Sequence, residues 1–139
     1  MRVQAVLWTG LVLTVAAAVC AFAGRDLLAD HVRTGYPAYT AAQVDQAVST
    51  SLVVLSVVGA LGVLAWLGTI RVVRTGKRWA RPAATVLLVL GAGVALTVLL
   101  VPDTSGATGF PAALGWAGLA PCVAGLVAVG LLWTGRPAR

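Results

Sequence analysis

The residues able to do chemistry are few, and they collect in one stretch. Asp26 and Asp30 stand four apart, His31 follows the second, and Asp45 lies further along. Positions four apart share a helical face. Three carboxylates and an imidazole could therefore hold a divalent cation through oxygen and nitrogen donors, which makes Asp26, Asp30, His31 and Asp45 weak metal candidates. A plainer reading is a solvated segment, because Arg25 and Arg33 are interleaved with the aspartates and exposed ion pairs contribute only about 0–1 kcal/mol. Between these stands a docking surface. Its contact candidates are Tyr36 and Tyr39, which flank Pro37, since tyrosine is enriched both at protein interfaces and in membrane aromatic belts. The expectation is no resident metal and no cofactor.

Other chemistries lack their residues. A membrane haem protein wants histidine ligands within the bundle, and His31 is the single histidine. A thiol oxidoreductase wants a reactive pair, often Cys-x-x-Cys. Cys20 and Cys122 are instead expected at depths that differ by roughly 10 Å, beyond the Cα separation a disulfide allows. They read as small packing residues. An ion-coupled transporter, including the small four-span multidrug exporters, needs an ionisable group inside the membrane. No catalytic residue is expected, and the chain reads as not an enzyme.

The elements that must position these residues are set by composition. Of 139 residues, 60% are apolar and 10% charged, against about 25% charged in an ordinary soluble domain. A bilayer core about 30 Å thick takes roughly 20 apolar residues of helix. Four stretches qualify, at about 4–23, 50–70, 83–101 and 112–134, and none carries Asp, Glu, Lys, Arg or His. The expected fold is all-α, a single domain forming a transmembrane four-helix bundle of two hairpins. Its connections are an outer loop over 24–49, a cytoplasmic loop over 71–82 and an outer turn over 102–111. Arg2 and the sequence Ala21-Phe22-Ala23 also allow a cleavable signal peptide. The first apolar run exceeds the usual signal core of about 7–15 residues, so a retained span is expected.

Local signals refine the helix ends. Thr40-Ala41-Ala42-Gln43 matches a capping box, so the second span is expected to start near Ala41 and to stand roughly 20 Å proud of the hydrocarbon. Gly76 should end it and Pro82 start the next, while Pro121 should kink the last helix. Small residues four apart, Ser56 with Ala60, Gly91 with Ala95, and Ala120 with Ala124 and Ala128, suit close helix packing in lipid.

Charge gives the orientation. Arg2, Arg71, Arg74, Lys77, Arg78, Arg81, Arg136 and Arg139 lie on one side, and Asp26, Asp30, Asp45 and Asp103 lie on the other. The positive-inside rule makes both termini cytoplasmic. Arg71, Arg74, Lys77, Arg78, Trp79 and Arg81 are the candidates for anionic lipid headgroups, with orientation alone as the simpler role. Trp8, Trp66 and Trp133 are expected at the headgroup level of that face, as indole prefers. A net charge of +6 would suit nucleic acid, whose sites want basic residues interleaved with exposed aromatics in a groove, but the charge is distributed as the positive-inside rule expects. No nucleic-acid partner is expected.

The stretch Val53-Val54-Leu55-Ser56-Val57-Val58-Gly59-Ala60-Leu61-Gly62-Val63-Leu64-Ala65-Trp66, followed by Gly76-Lys77-Arg78-Trp79-Ala80-Arg81, resembles uncharacterised small four-helix integral membrane proteins of high-GC bacteria. The resemblance implies a bacterial plasma-membrane location and no particular activity. The leading expectation is a non-enzymatic accessory or scaffold protein that presents its outer loop to a membrane-protein partner or assembles as a homo-oligomer. The alternatives are a lipid or small-molecule carrier, using a crevice between Ala/Gly-rich helices, and an outer-surface metal-dependent enzyme.

Overall fold

The computed structural model describes residues 2–102 and 110–135. They form five helices: α1 (Arg2–Ala23), α2 (Arg25–Gly35), α3 (Ala41–Arg74), α4 (Ala80–Leu100) and α5 (Ala112–Thr134), with no strand among the described residues. Most of the expected turn over 102–111, including Asp103, lies outside the described residues, as do Arg136 and Arg139.

All helices but α2 are long and apolar enough to cross a membrane. Even α4, with 21 residues, reaches about 31 Å at 1.5 Å per residue. Large apolar side chains point outward from each: Val12 is 64% exposed, Leu64 65%, Val89 64% and Leu126 64%. Such a surface would aggregate in water and is at rest in lipid. Hydroxyls within the spans are spent on their own helices, Thr9 donating to the Ala5 carbonyl, Ser56 to Leu52 and Thr97 to Gly93. The chain is a multi-pass, all-helical membrane protein.

Two antiparallel seams build the bundle. Along the first, α1 meets α3: Gly10 faces the Trp66 ring, Thr14 faces Gly62 and Ala18 faces Gly59. A Cβ at Gly10 would collide with the indole, and one at Gly62 would lie 3.1 Å from the Thr14 methyl. Along the second, α5 meets α4. A Cβ at Gly115 would come within 2.9 Å of the Leu99 backbone, and one at Gly125 within 2.9 Å of Leu88. The two hairpins join through extensive α1–α5 contact, whereas α3 and α4 meet sparsely. The order around the bundle is therefore α3, α1, α5, α4, with the ring left loose between its ends.

Both ends carry buried clusters. At the end holding the basic residues, Leu7, Ile70 and Ala128 are buried together with Trp66 against them. At the opposite, acidic end, Leu28 of α2 is buried with Ala21, Val44, Val48 and Leu52. The connection over 24–49 is thus mostly helix. Gly24 breaks α1 from α2, and Leu28 is turned onto one face of α3, where Val44, Val48 and Leu52 recur at four-residue spacing. The capping box forms as expected: Gln43 N–H donates to Thr40 Oγ1 at 3.3 Å, and the Thr40 N–H donates to Gln43 Oε1 at 2.8 Å.

The basic connection is also shorter than the expected loop over 71–82, because α3 runs to Arg74 and α4 starts at Ala80. Gly76 ends α3 with φ 64°, a left-handed conformation that glycine adopts without a Cβ penalty. α5 continues through Pro121.

The Gly10–Trp66 contact has no room to spare. Gly10→Val should lower the thermal stability of the detergent-extracted protein by about 1–3 kcal/mol through overpacking. Gly68→Val, where the new Cβ meets nothing within 4 Å, should cost less than about 1 kcal/mol. Equal losses in the two melting curves would argue against the seam. Because α1 supplies half of both the first seam and the α1–α5 contact, intact-mass measurement on membrane-extracted protein should find its residues retained.

Candidate functional site

Where α3 and α4 part, a groove of about 620 Å³ enters the bundle from the side. Its floor is α1 and α5. The lining runs from Leu55 to Thr69 on α3 and from Ala84 to Val98 on α4, which is roughly 21 Å along each helix at 1.5 Å per residue. Leu61 and Leu90 line it while remaining 61% and 60% exposed, so they form the rim facing the lipid. Ala21, Leu55 and Leu114 mark its acidic end, and Leu7, Trp66 and Ala128 its basic end. These residues belong to or pack on the two buried clusters. The route in is lateral.

The lining is almost wholly apolar. Thr14 donates to the Gly10 carbonyl at 2.9 Å, Thr69 to Ala65 at 2.8 Å, and the Cys122 thiol to Gly118 at 3.7 Å. With these hydrogens committed to backbone, the groove presents little beyond shape and dispersion to anything that enters it. Cys20 is exposed, Cys122 is half-buried, and both are free thiols.

Trp66, expected near the basic face, turns its ring into the bundle at that end. Its ring lies on Gly10 of α1, reaches Gly125 of α5 and lines the groove. Indole fits a belt and a glycine-lined seam equally well, so its composition alone does not separate them. Trp79 and Trp133 are both more than half exposed at the basic end.

The basic end has internal structure. The Lys77 ammonium lies 6.0 Å from the Trp79 ring, and the Arg81 guanidinium lies 6.0 Å from the Trp133 ring. Arg81 also donates to the Gly135 carbonyl at 3.4 Å, and Trp133 Nε1 donates to Thr85 Oγ1 at 3.1 Å. Arg81 thereby joins the start of α4 to the end of α5, where a cation suits the helix dipole. Arg71, Arg74, Lys77 and Arg78 are exposed. A shallow apolar shelf formed by Trp79, Pro82, Ala83, Val86 and Leu87 lies beside them, and Leu87 also lines the groove.

At the acidic end, Asp26 and Asp30 lie exposed on α2, and Asp45 lies exposed on the outer turns of α3. Asp30 accepts from Arg33 at 3.2 Å, the one ion pair among the described residues. His31 is half-buried. Among the described residues no three His, Cys, Asp or Glu side chains come together as a metal site. Tyr36 and Tyr39 stack with centroids 4.7 Å apart and planes 11° from parallel. Tyr39 precedes Thr50 by eleven residues, and nine of the intervening residues are helical, so it stands roughly 14 Å beyond the expected span.

Titration of the purified protein with Zn²⁺, Mn²⁺ or Ca²⁺ should give no saturable binding that Asp26→Ala, Asp30→Ala or His31→Ala removes. A stoichiometric heat signal abolished by these substitutions would restore the metal reading. Comparison with protein-family models, curated proteins and solved structures found no match.

Proposed function

We propose that this chain is a non-enzymatic bacterial plasma-membrane protein that takes an elongated apolar molecule, a lipid or a lipid-soluble small molecule, into the groove between α3 and α4. One observation carries the reading: a cavity of about 620 Å³ that opens sideways between two spans. Ligand sites occupy about 300–1,000 Å³, so the volume suits a ligand. Its apolar lining and lateral rim suit one that arrives from the bilayer rather than from water.

Native mass spectrometry of gently extracted protein should find one lipid or small molecule retained per chain. Gly91 lines the groove with open space beside it, so Gly91→Trp should fill the groove and abolish retention while preserving the fold. Retention unchanged by this substitution would refute the reading.

The accessory reading keeps one specific support. Burial of Leu28 against Val44, Val48 and Leu52 holds α2 as a firm platform, with the stacked Tyr36 and Tyr39 beyond it. A partner would meet that platform outside the cell if the basic end faces the cytoplasm. With Cys20 and Cys122 changed to Ser, Thr34→Cys should react with a membrane-impermeant maleimide on intact cells, and Thr75→Cys only after lysis. The reverse pattern would overturn the orientation.

A further inference from the structure

We infer that the groove's occupant is an anionic phospholipid of the leaflet at the basic end, its headgroup held at Lys77 and Trp79 and an acyl chain lying in the groove. The inference rests on the groove being a ligand site and names the ligand.

Continuity of apolar surface supports it. The groove reaches Leu87, and the shelf continues from Leu87 over Ala83, Pro82 and Val86 to Trp79. Lys77 stands 6.0 Å from that indole. A chain leaving the groove would follow this path and emerge beside the ammonium.

Charge complementarity sets the headgroup. Arg71, Arg74, Lys77 and Arg78 are exposed there and form no ion pair with the described residues. All four acidic residues of the chain belong to the other two connections. The field at this end is therefore uncompensated by side chains, and a phosphate monoanion supplies the missing charge. Arg81 is engaged with Trp133 and Gly135, so it is a fixed neighbour of the site rather than its principal ligand.

Shape suits a slim occupant, since α1 and α5 close the groove's floor and Leu61 and Leu90 stand at its rim. An acyl chain is slim enough to enter without parting the seams.

The test is lipid competition. Full-length protein is reconstituted in nanodiscs of equimolar phosphatidylglycerol and phosphatidylcholine, transferred to mild detergent, and the retained lipid identified by native mass spectrometry. Wild-type protein should retain phosphatidylglycerol over phosphatidylcholine by at least about fivefold, the effect of one cation near an anionic group. Lys77→Ala combined with Arg78→Ala should bring the ratio close to one with a lipid still bound. Lys77→Arg should preserve the preference, as should Arg33→Ala at the opposite end, and both serve as folding controls. Equal retention of the two lipids by wild-type protein would overturn this inference and leave the groove reading intact. Retention of no lipid, or a dimer that excludes lipid, would overturn both.

Discussion

The contact on which the rest depends is the Trp66 indole lying on the backbone of Gly10. In lipid there is no hydrophobic force between helices, and close packing decides which faces meet. The absent side chain at Gly10 lets a ring from α3 reach the body of α1, and the same ring touches α5 near Gly125. Thr14 against Gly62 and Ala18 against Gly59 then carry the seam toward the acidic end. With α3 held to α1 and α4 held to α5, the remaining pair has little surface left to share. The groove is the geometric residue of two tight hairpins.

That arrangement explains why the ends are closed and the side is open. Ile70 and Leu7 close the basic end because they continue the first seam past Trp66. The acidic end needs an added element, since α3 extends well beyond the span and would otherwise expose Val44 and Val48 to water. Leu28 of α2 covers them. Such burial contributes about 1.5–3 kcal/mol for a full aliphatic side chain where water is the alternative. The hydrophobic effect therefore operates at this end, while close packing governs the seams.

Much of this was legible in the amino-acid order, for identifiable reasons. The spans announce themselves because charges are excluded from them. The start of α3 was readable from Thr40 and Gln43, and its end from Gly76, because caps are local and chemically specific. The seams were harder to locate. Gly, Ala and Thr recur on every face of nearly uniform apolar helices, so spacing alone does not select a face. Of the rows singled out, Ala95, Ala124 and Ala128 are buried, whereas Ala60 and Ala120 are exposed, Gly91 looks into open space and Gly10 had drawn no attention. α2 read as loop because its apolar content is small, and only the partner face on α3 makes Leu28 a core residue. A crevice between Ala/Gly-rich helices was foreseeable, but the sparse pair, α3 with α4, follows only from the seams.

Under the proposed reading, the groove's interior and its ends divide the work of recognition. A molecule entering from lipid leaves an apolar medium for another, so burial of its chain gains little beyond improved packing. The hydroxyls of Thr14 and Thr69 are already committed to backbone carbonyls, leaving little polar contrast by which the groove could tell one chain from another. Discrimination therefore has to reside where the chain ends and polar chemistry begins. One end of the groove abuts Leu28 and its aliphatic neighbours, while the other is continuous with Trp79 beside Lys77. The first end mixes Arg25 and Arg33 with aspartates, whereas the second carries cations with no acidic side chain among them, so the same charge asymmetry that the positive-inside rule reads would also favour an anionic headgroup there.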